Sequence, residues 1–116
     1  MALHSELPIY KVAYDLLCII VQLVRSFPRD ARQDIGSALR QECVRITVLI
    51  FRANVARDKA VHLAELIERK EVAELLLRLS HDLRFISPKQ YSRAIELTAA
   101  IGRQANGWRK KFPPAT

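Results

Sequence analysis

The sequence predicts an all-α chain that folds as an antiparallel, up-down four-helix bundle. Only three glycines and five prolines occur in 116 residues, and half of the residues are hydrophobic, which favours helices and excludes disorder. Apolar residues recur at helical spacing along most of the chain. Because the segments with this spacing are joined by short connections, residues 1–116 are predicted to form a single domain with one core.

The first predicted helix covers residues 9 to 26. Its polar residues keep to one narrow stripe, so apolar residues cover more than half of its circumference. The helix ends at the sequence SFPRD, because Phe27 precedes a proline and is therefore biased away from helical geometry.

The second predicted helix, residues 29–57, carries two apolar stripes. On a wheel of ~100° per residue, the first stripe consists of Ile35, Leu39, Ile46 and Ile50. The second stripe consists of Val44, Val48, Phe51 and Val55. A four-helix bundle of this size covers one stripe, and monomers rarely expose another. We therefore predict that the second stripe is an oligomer interface; the alternative is a central helix that its own bundle covers on both sides.

The third predicted helix covers residues 58–85, with Asp58 as a plausible N-cap. Its apolar face changes sides at the sequence ERKE, residues 68–71. Before that point the apolar residues are Leu63, Leu66 and Ile67, and after it they are Val72, Leu75, Leu76, Leu79 and Leu83. Either the two halves contact different neighbours, or the segment is kinked, or it forms two shorter helices.

The fourth predicted helix covers residues 88–107. Ser87 as N-cap and Pro88 at the first helical position form a strong start signal. The helix is expected to end near Gly107, which leaves residues 108–116 as a basic tail. In this tail Trp108 either stacks on a nucleic-acid base or packs the end of its helix.

Positive charge is concentrated in two segments of this chain, whose net charge is +7. Residues 1–34 balance, residues 35–57 carry four arginines against one glutamate, and residues 85–116 carry six basic residues against one acidic residue. Such segregation is typical of a nucleic-acid-binding domain; the alternative is the solvated surface of a basic protein. The predicted nucleic-acid contacts are Arg40, Arg45, Arg52, Arg57, Arg93, Arg103, Arg109, Lys110 and Lys111.

No recognised catalytic or metal-binding pattern occurs in the sequence. There is no glycine-rich phosphate loop, no nucleophile elbow, no cysteine pair at zinc spacing and no Glu-x-x-His motif of a di-iron bundle. We therefore expect a binding or assembly protein without a cofactor and not an enzyme. A small helical enzyme would have to use His62, Glu65 and His81, which form no recognised constellation.

The cellular location is predicted to be cytoplasmic, without a membrane segment. The most apolar run, residues 16–24, is interrupted by Gln22 and is much shorter than the roughly 20 residues that a membrane-spanning helix needs. No basic region precedes it, as one would in a signal peptide. In a cytoplasmic protein Cys18 and Cys43 are expected to be reduced, small core residues.

Three stretches of the sequence resemble a known family. YKVAYDLLCIIVQLVRSFPRD is similar to the start of the four-helix-bundle proteins encoded in ribosomal RNA intervening sequences, which show a Tyr-Lys-x-Ala-Tyr-like start and a Phe-Pro first turn. LRQECVRITVLIFRANVAR resembles their second helix, and EVAELLLRLSHDLRFIS resembles their third. Where that family has Glu-Gly after the second helix, this chain has Arg57 and Asp58. This replacement and the basic charge look most like the accessory variability determinant (Avd) family of diversity-generating retroelements, over most of residues 8–112.

The resemblance implies a quaternary structure and partners. It implies a barrel-like homo-oligomer of four-helix bundles, a homopentamer, that associates with the retroelement reverse transcriptase and its template RNA. Such a complex makes the mutagenic cDNA that diversifies a target gene during mutagenic retrohoming; whether DNA is also bound stays open. The competing hypothesis is a structural interaction protein of the intervening-sequence type, whose basic surface docks an acidic protein partner.

Overall fold

The computed structural model describes residues 3–114, and within that range it contains helices and connections but no strand. Its four long helices are α1 (Pro8–Val24), α2 (Ser37–Val55), α3 (Lys59–Asp82) and α4 (Pro88–Lys111). Neighbouring helices pack in a ring, α1 and α3 each against both α2 and α4. The predicted all-α class and helical bundle are thus confirmed. None of the described helices is long and apolar enough to cross a membrane.

Helix α1 begins at Pro8 after a short 3₁₀ turn, His4–Glu6. A proline fits the first turn, where a backbone N–H would have no intrahelical partner. The helix ends at Val24, two residues before the predicted end. The following Phe27 is buried, and its ring lies 5.3 Å from that of Phe85. The α1–α2 and α3–α4 connections therefore pack together at one end of the bundle.

A π-helical segment leads into α2. The short helical turn Arg29–Ala31 continues into the π segment Arg32–Gly36 and then into α2, so the run covers residues 29–55 against a prediction of 29–57. A Cβ at Gly36 would lie 2.6 Å from Cγ1 of the buried Val24. Glycine thus allows the π segment and the end of α1 to approach this closely.

Helix α3 is one continuous helix, so the alternative of two shorter helices is wrong. The predicted N-cap is confirmed: Asp58 Oδ1 accepts a hydrogen bond from the Ala60 backbone N–H at 3.2 Å. Its core face consists of Leu63, Leu66, Ala73, Leu77 and Ser80. The change of apolar face does not lead to a second neighbour within the bundle, because Leu75, Leu79 and Leu83 are exposed.

Helix α4 has the predicted start but not the predicted end. The Ser87 hydroxyl accepts from the Gln90 N–H at 3.1 Å, and the Gln90 side chain accepts from the Ser87 N–H at 2.9 Å, which is a complete capping box. The predicted end near Gly107 is wrong, since the helix continues to Lys111. Trp108 packs against the core, and the last turn carries basic residues that the helix dipole favours there. The predicted tail is therefore helical up to residue 111. Residues 115 and 116 of the tail, and residues 1 and 2 of the predicted domain, lie outside the described range.

The two cysteines occupy different environments. Cys43 is buried in the core between the helices, and burial, with a smaller effect of the Glu42 charge, raises the pKa of its thiol to about 12. Cys18 is exposed, so its prediction as a core residue is wrong. Both are free thiols, as expected.

Candidate functional site

The second apolar stripe of α2 is exposed to solvent. The exposed fractions are 47% for Val44, 45% for Phe51 and 54% for Val55, whereas Val48 is half-buried. The chain therefore does not cover this stripe itself, and the alternative of a central helix covered on both sides is wrong. Its assignment as an oligomer interface stays a prediction.

The exposed stripe borders a groove between α1 and α2. Leu17 and Val21 of α1 form one wall, and Val44 and Val48 of α2 form the other. Four long polar side chains rim the groove: Arg40, Gln41, Arg45 and Arg52. Apolar surface bordered by arginines suits a partner that offers both apolar side chains and negative charge.

One of the predicted nucleic-acid contacts, Arg45, is held in an ion pair between two helices of the chain. Nη2 and Nε of Arg45 donate to the same oxygen, Oε1 of Glu65 on α3, at 2.8 and 3.2 Å. The hydrogen bond from Arg45 lowers the pKa of Glu65 below its ordinary value; burial opposes this effect, and the charges of Arg45, Arg52 and Arg69 add to it. A neighbouring bridge joins Arg69 Nη1 to Glu42 Oε1 at 2.9 Å. Arg45 thus helps to close the contact between α2 and α3, which makes it less available to a phosphate.

The other predicted contacts form two groups. On α2, Arg52 is exposed and Arg40 is half-buried, and neither forms an ion pair within residues 3–114. Along the α2–α3 connection and α4, six are exposed: Arg57, Arg93, Arg103, Arg109, Lys110 and Lys111. Those on α4 do not form one cluster, because residues 93 and 111 are separated by about 27 Å of helix.

The C-terminal ends of α2 and α4 border one groove at the same end of the bundle. This groove is lined by Lys111, Trp108 and Phe112 at the end of α4, together with Asn54 and Lys59 beside the α2–α3 connection. Trp108 is half-buried against the core. Its packing role is thereby confirmed, and stacking on a base stays a prediction.

Lys59 has a structural role that the sequence did not indicate. Its Nζ donates to the backbone carbonyls of Ala53, Asn54 and Ala56 at 2.9 to 3.1 Å. It also lies 5.3 Å from the ring centroid of Phe112. A lysine that satisfies the last carbonyls of α2 explains why that helix ends there without a glycine cap.

Sequence reasoning missed a second exposed apolar patch, on the outer side of α3. We call Leu75, Leu79 and Leu83 the α3 patch; their exposed fractions are 65%, 38% and 49%. The four-residue spacing of the three leucines was the available signal. This spacing left open a second neighbour, a kink or two shorter helices, because periodicity does not tell which of two apolar faces meets the core.

The three residues of the enzyme hypothesis do not share a site. Residues 62 and 81 are about 28 Å apart along α3. Glu65 is engaged by Arg45, and the ring of His81 stacks on Tyr91 at 4.7 Å. Within residues 3–114 no group of histidine, cysteine and acidic side chains is arranged to hold a metal ion.

Comparison with known proteins identifies the family. A family model described as bAvd-like matches residues 8–112 of the chain. A search of curated proteins gave no match. Because the family match covers nearly all of the sequence and agrees with the helical bundle, the chain belongs to the bAvd-like family.

Proposed function

We propose that this protein is a basic, oligomeric, nucleic-acid-binding accessory protein of a diversity-generating retroelement. In this role it associates with the reverse transcriptase and its template RNA and supports mutagenic cDNA synthesis. Membership of the bAvd-like family supports an accessory protein of the retroelement type. The proposal assigns no catalytic step, metal or cofactor to this chain.

The observation that carries the proposal is the outer face of α2. There the exposed side chains of Val44, Phe51 and Val55 run beside Arg52, which lacks an ion pair in the described chain. An exposed apolar stripe of this kind marks an interaction surface. Unpaired arginines next to it provide guanidinium groups that match phosphate oxygens.

The two apolar patches support a particular kind of assembly. The stripe and the α3 patch lie on two different helices, which the ion pairs of Arg45 with Glu65 and of Arg69 with Glu42 join within one chain. If the stripe of one copy contacts the α3 patch of the next, the contact is heterologous, and repeating it closes a ring when the rotation allows. The expected homopentamer, which rests on the family resemblance, is such a ring.

The nucleic-acid part of the proposal rests on charge. The excess of +7 lies in α2 and α4, and Lys111 of α4 lines a groove that the end of α2 also borders. Binding that depends on arginine and lysine releases counterions from the nucleic acid, so it weakens steeply as salt rises.

Light scattering of the purified protein, with and without a structured RNA, tests the proposal. We expect a mass several times the protomer mass of 13.3 kDa, and RNA binding that is strong at about 50 mM salt and weak at about 300 mM. A 13.3 kDa species that ignores RNA would contradict the proposal. An oligomer that ignores RNA at both salt concentrations would favour the structural interaction protein that docks an acidic partner.

A further inference from the structure

A basic pocket lies at the start of the α2 run. It is lined by Arg29, Arg32, Gln33, Ser37 and Arg40. Of the residues that line it, only Arg40 is among the nucleic-acid contacts predicted from the sequence. The balanced charge of residues 1–34 conceals this cluster in the sequence, because Asp30 and Asp34 follow closely on Arg29 and Arg32. In the folded chain the neighbouring aspartates do not line the pocket, whereas three arginines do.

The arginines of this pocket have no carboxylate partner within residues 3–114. Arg29, Arg32 and Arg40 are absent from the ion pairs that engage other arginines of the chain. Asp30 and Asp34 belong to the same segment, but they are exposed and do not line the pocket. Three guanidinium groups that face one space repel each other, and a bound anion would relieve that repulsion.

The π-helical segment shapes the pocket. It contributes Arg32 and Gln33, while the turns before and after it contribute Arg29, Ser37 and Arg40. π-Helical turns are rare and occur frequently at functional sites. Gly36 packs this segment against Val24, so the pocket is fixed to the end of α1 and does not depend on a loop.

The lining indicates the chemistry of the ligand. Guanidinium groups, the Gln33 amide and the Ser37 hydroxyl all donate hydrogen bonds that phosphate oxygens accept. No aromatic side chain is among the lining residues to stack on a base, and no carboxylate to repel a phosphate. From Arg29 to Arg40 the pocket follows about 16 Å of helix, which is longer than one phosphate needs. Such a site contacts the backbone of a nucleic acid and does not read its bases.

We propose that this pocket binds the phosphodiester backbone of RNA, independently of sequence. The inference rests on the proposed function, because it names a further part of the RNA-binding surface. Arg40 also borders the α1–α2 groove, so the pocket continues that groove towards the start of the α2 run. It adds Arg29 and Arg32 to the candidate contacts.

The test compares RNA binding by the full-length protein and a double variant, Arg29→Gln/Arg32→Gln. Fluorescence anisotropy with a labelled single-stranded RNA of about 20 nucleotides measures affinity at several salt concentrations. Loss of two charge-assisted contacts should weaken binding roughly tenfold. The slope of log affinity against log salt should fall by about 0.7 for each lost phosphate contact. Both side chains are exposed and glutamine is a good helix former, so the thermal unfolding temperature should be retained.

A matched control is Lys11→Gln/Arg78→Gln. It also removes two positive charges, at exposed residues that pair with Asp15 and Asp82. The control should weaken binding less than twofold, since these residues lie outside the pocket. Equal effects of the two double variants would overturn the proposal, because net charge alone would then explain both.

A second titration, with inorganic phosphate followed by NMR of the arginine Nε–Hε groups, separates the sources of the phosphate. Shifts that the double variant loses, together with weakened RNA binding, support the proposal. If phosphate shifts are lost but RNA binding is unchanged, the pocket takes a free phosphate and the RNA assignment is wrong. If the wild-type protein shows the phosphate shifts but binds no RNA, the nucleic-acid part of the proposed function fails, whereas the phosphate chemistry of the pocket stands.

Discussion

The arginines of α2 that border the α1–α2 groove are used in opposite ways. Arg45 reaches across to α3 and binds Glu65 at 2.8 Å, and in the same contact between α2 and α3 Arg69 binds Glu42 at 2.9 Å. Arg40 and Arg52 border the same groove with apolar walls but form no ion pair in the described part of the chain.

The difference indicates how α2 serves both the fold and a partner. Salt bridges across the α2–α3 contact pair Arg45 and Arg69 with glutamates of the same chain, so these two arginines are already occupied. The groove towards α1 leaves both apolar surface and positive charge exposed. Covering an apolar surface lowers the free energy. Pairing an unpaired arginine with an anion lowers it as well. The α1–α2 groove is therefore the surface where we expect partners.

The largest expected effect is on assembly. Val44→Glu/Phe51→Glu should reduce the mass measured by light scattering to that of one protomer, 13.3 kDa, because it places charge on the stripe. Circular dichroism should be unchanged, since both residues are exposed in the single chain. Ser92→Glu/Asn106→Glu, at exposed positions of α4, serves as the control and should keep the oligomer. An unchanged oligomer in the stripe variant would place the interface elsewhere.

A mixing experiment with the same variant tests the heterologous contact. Leu75→Glu/Leu79→Glu disrupts the α3 patch and should also give a monomer. Mixing the two variants restores one intact contact between a stripe and an α3 patch, so a dimer of twice 13.3 kDa should form. If the α3-patch variant dimerises by itself, the stripe contacts a second stripe and the interface is isologous.

The next effect is on stability, where Gly36 packs closely against Val24 at the end of α1. Gly36→Ala should lower the free energy of unfolding by about 1–3 kcal/mol, because the new Cβ would meet the buried Val24 and force it to shift. Gly107→Ala is the matched control: nothing lies within 4 Å of its added Cβ, so this helical position should gain up to about 1 kcal/mol. Urea denaturation measures both. A neutral Gly36→Ala would mean that the π segment does not depend on this close approach.

A smaller effect compares the two kinds of arginine directly. Arg52→Gln should weaken RNA binding several-fold and lower the salt slope by about 0.7, the value for one lost phosphate contact. Arg45→Gln should change both less, because its guanidinium group is already bound to Glu65. Anisotropy titrations of the two variants side by side measure the difference. Equal losses would show that the ion pair with Glu65 opens when RNA binds.

The smallest effect is the pH dependence of the ion pair between Arg45 of α2 and Glu65 of α3. The pKa of Glu65 is lowered in the folded protein by its hydrogen bond from Arg45. The pair therefore stabilises the fold above the ordinary glutamate pKa of 4.5, and this contribution is lost as the pH falls through the lower folded value. Glu65→Gln should lower the melting temperature slightly at pH 7, and the difference should shrink as the pH falls through the lowered pKa of Glu65. A difference that persists in acid would assign the effect to packing and not to charge.

Helix starts and the extra stripe of α2 could be predicted because their causes are local. Ser87 and Asp58 bind N–H groups two or three residues away, and a helical stripe is a property of consecutive turns. The end of α4 could not be predicted in this way. Gly107 looks like a helix stop in the sequence, but Trp108 packs against the core and the helix continues. The contact that overrides the glycine comes from residues distant in sequence.

The sequence by itself determined the all-helical class, the two stripes of α2 and the resemblance to the Avd family. Only the tertiary structure decided which apolar face of α3 meets the core, and it left Leu75, Leu79 and Leu83 outside. It also decided which basic residues are already bound, such as Lys59 at the end of α2. The physical reason is that periodicity and caps act within a few residues, whereas burial and ion pairing depend on which helices become neighbours.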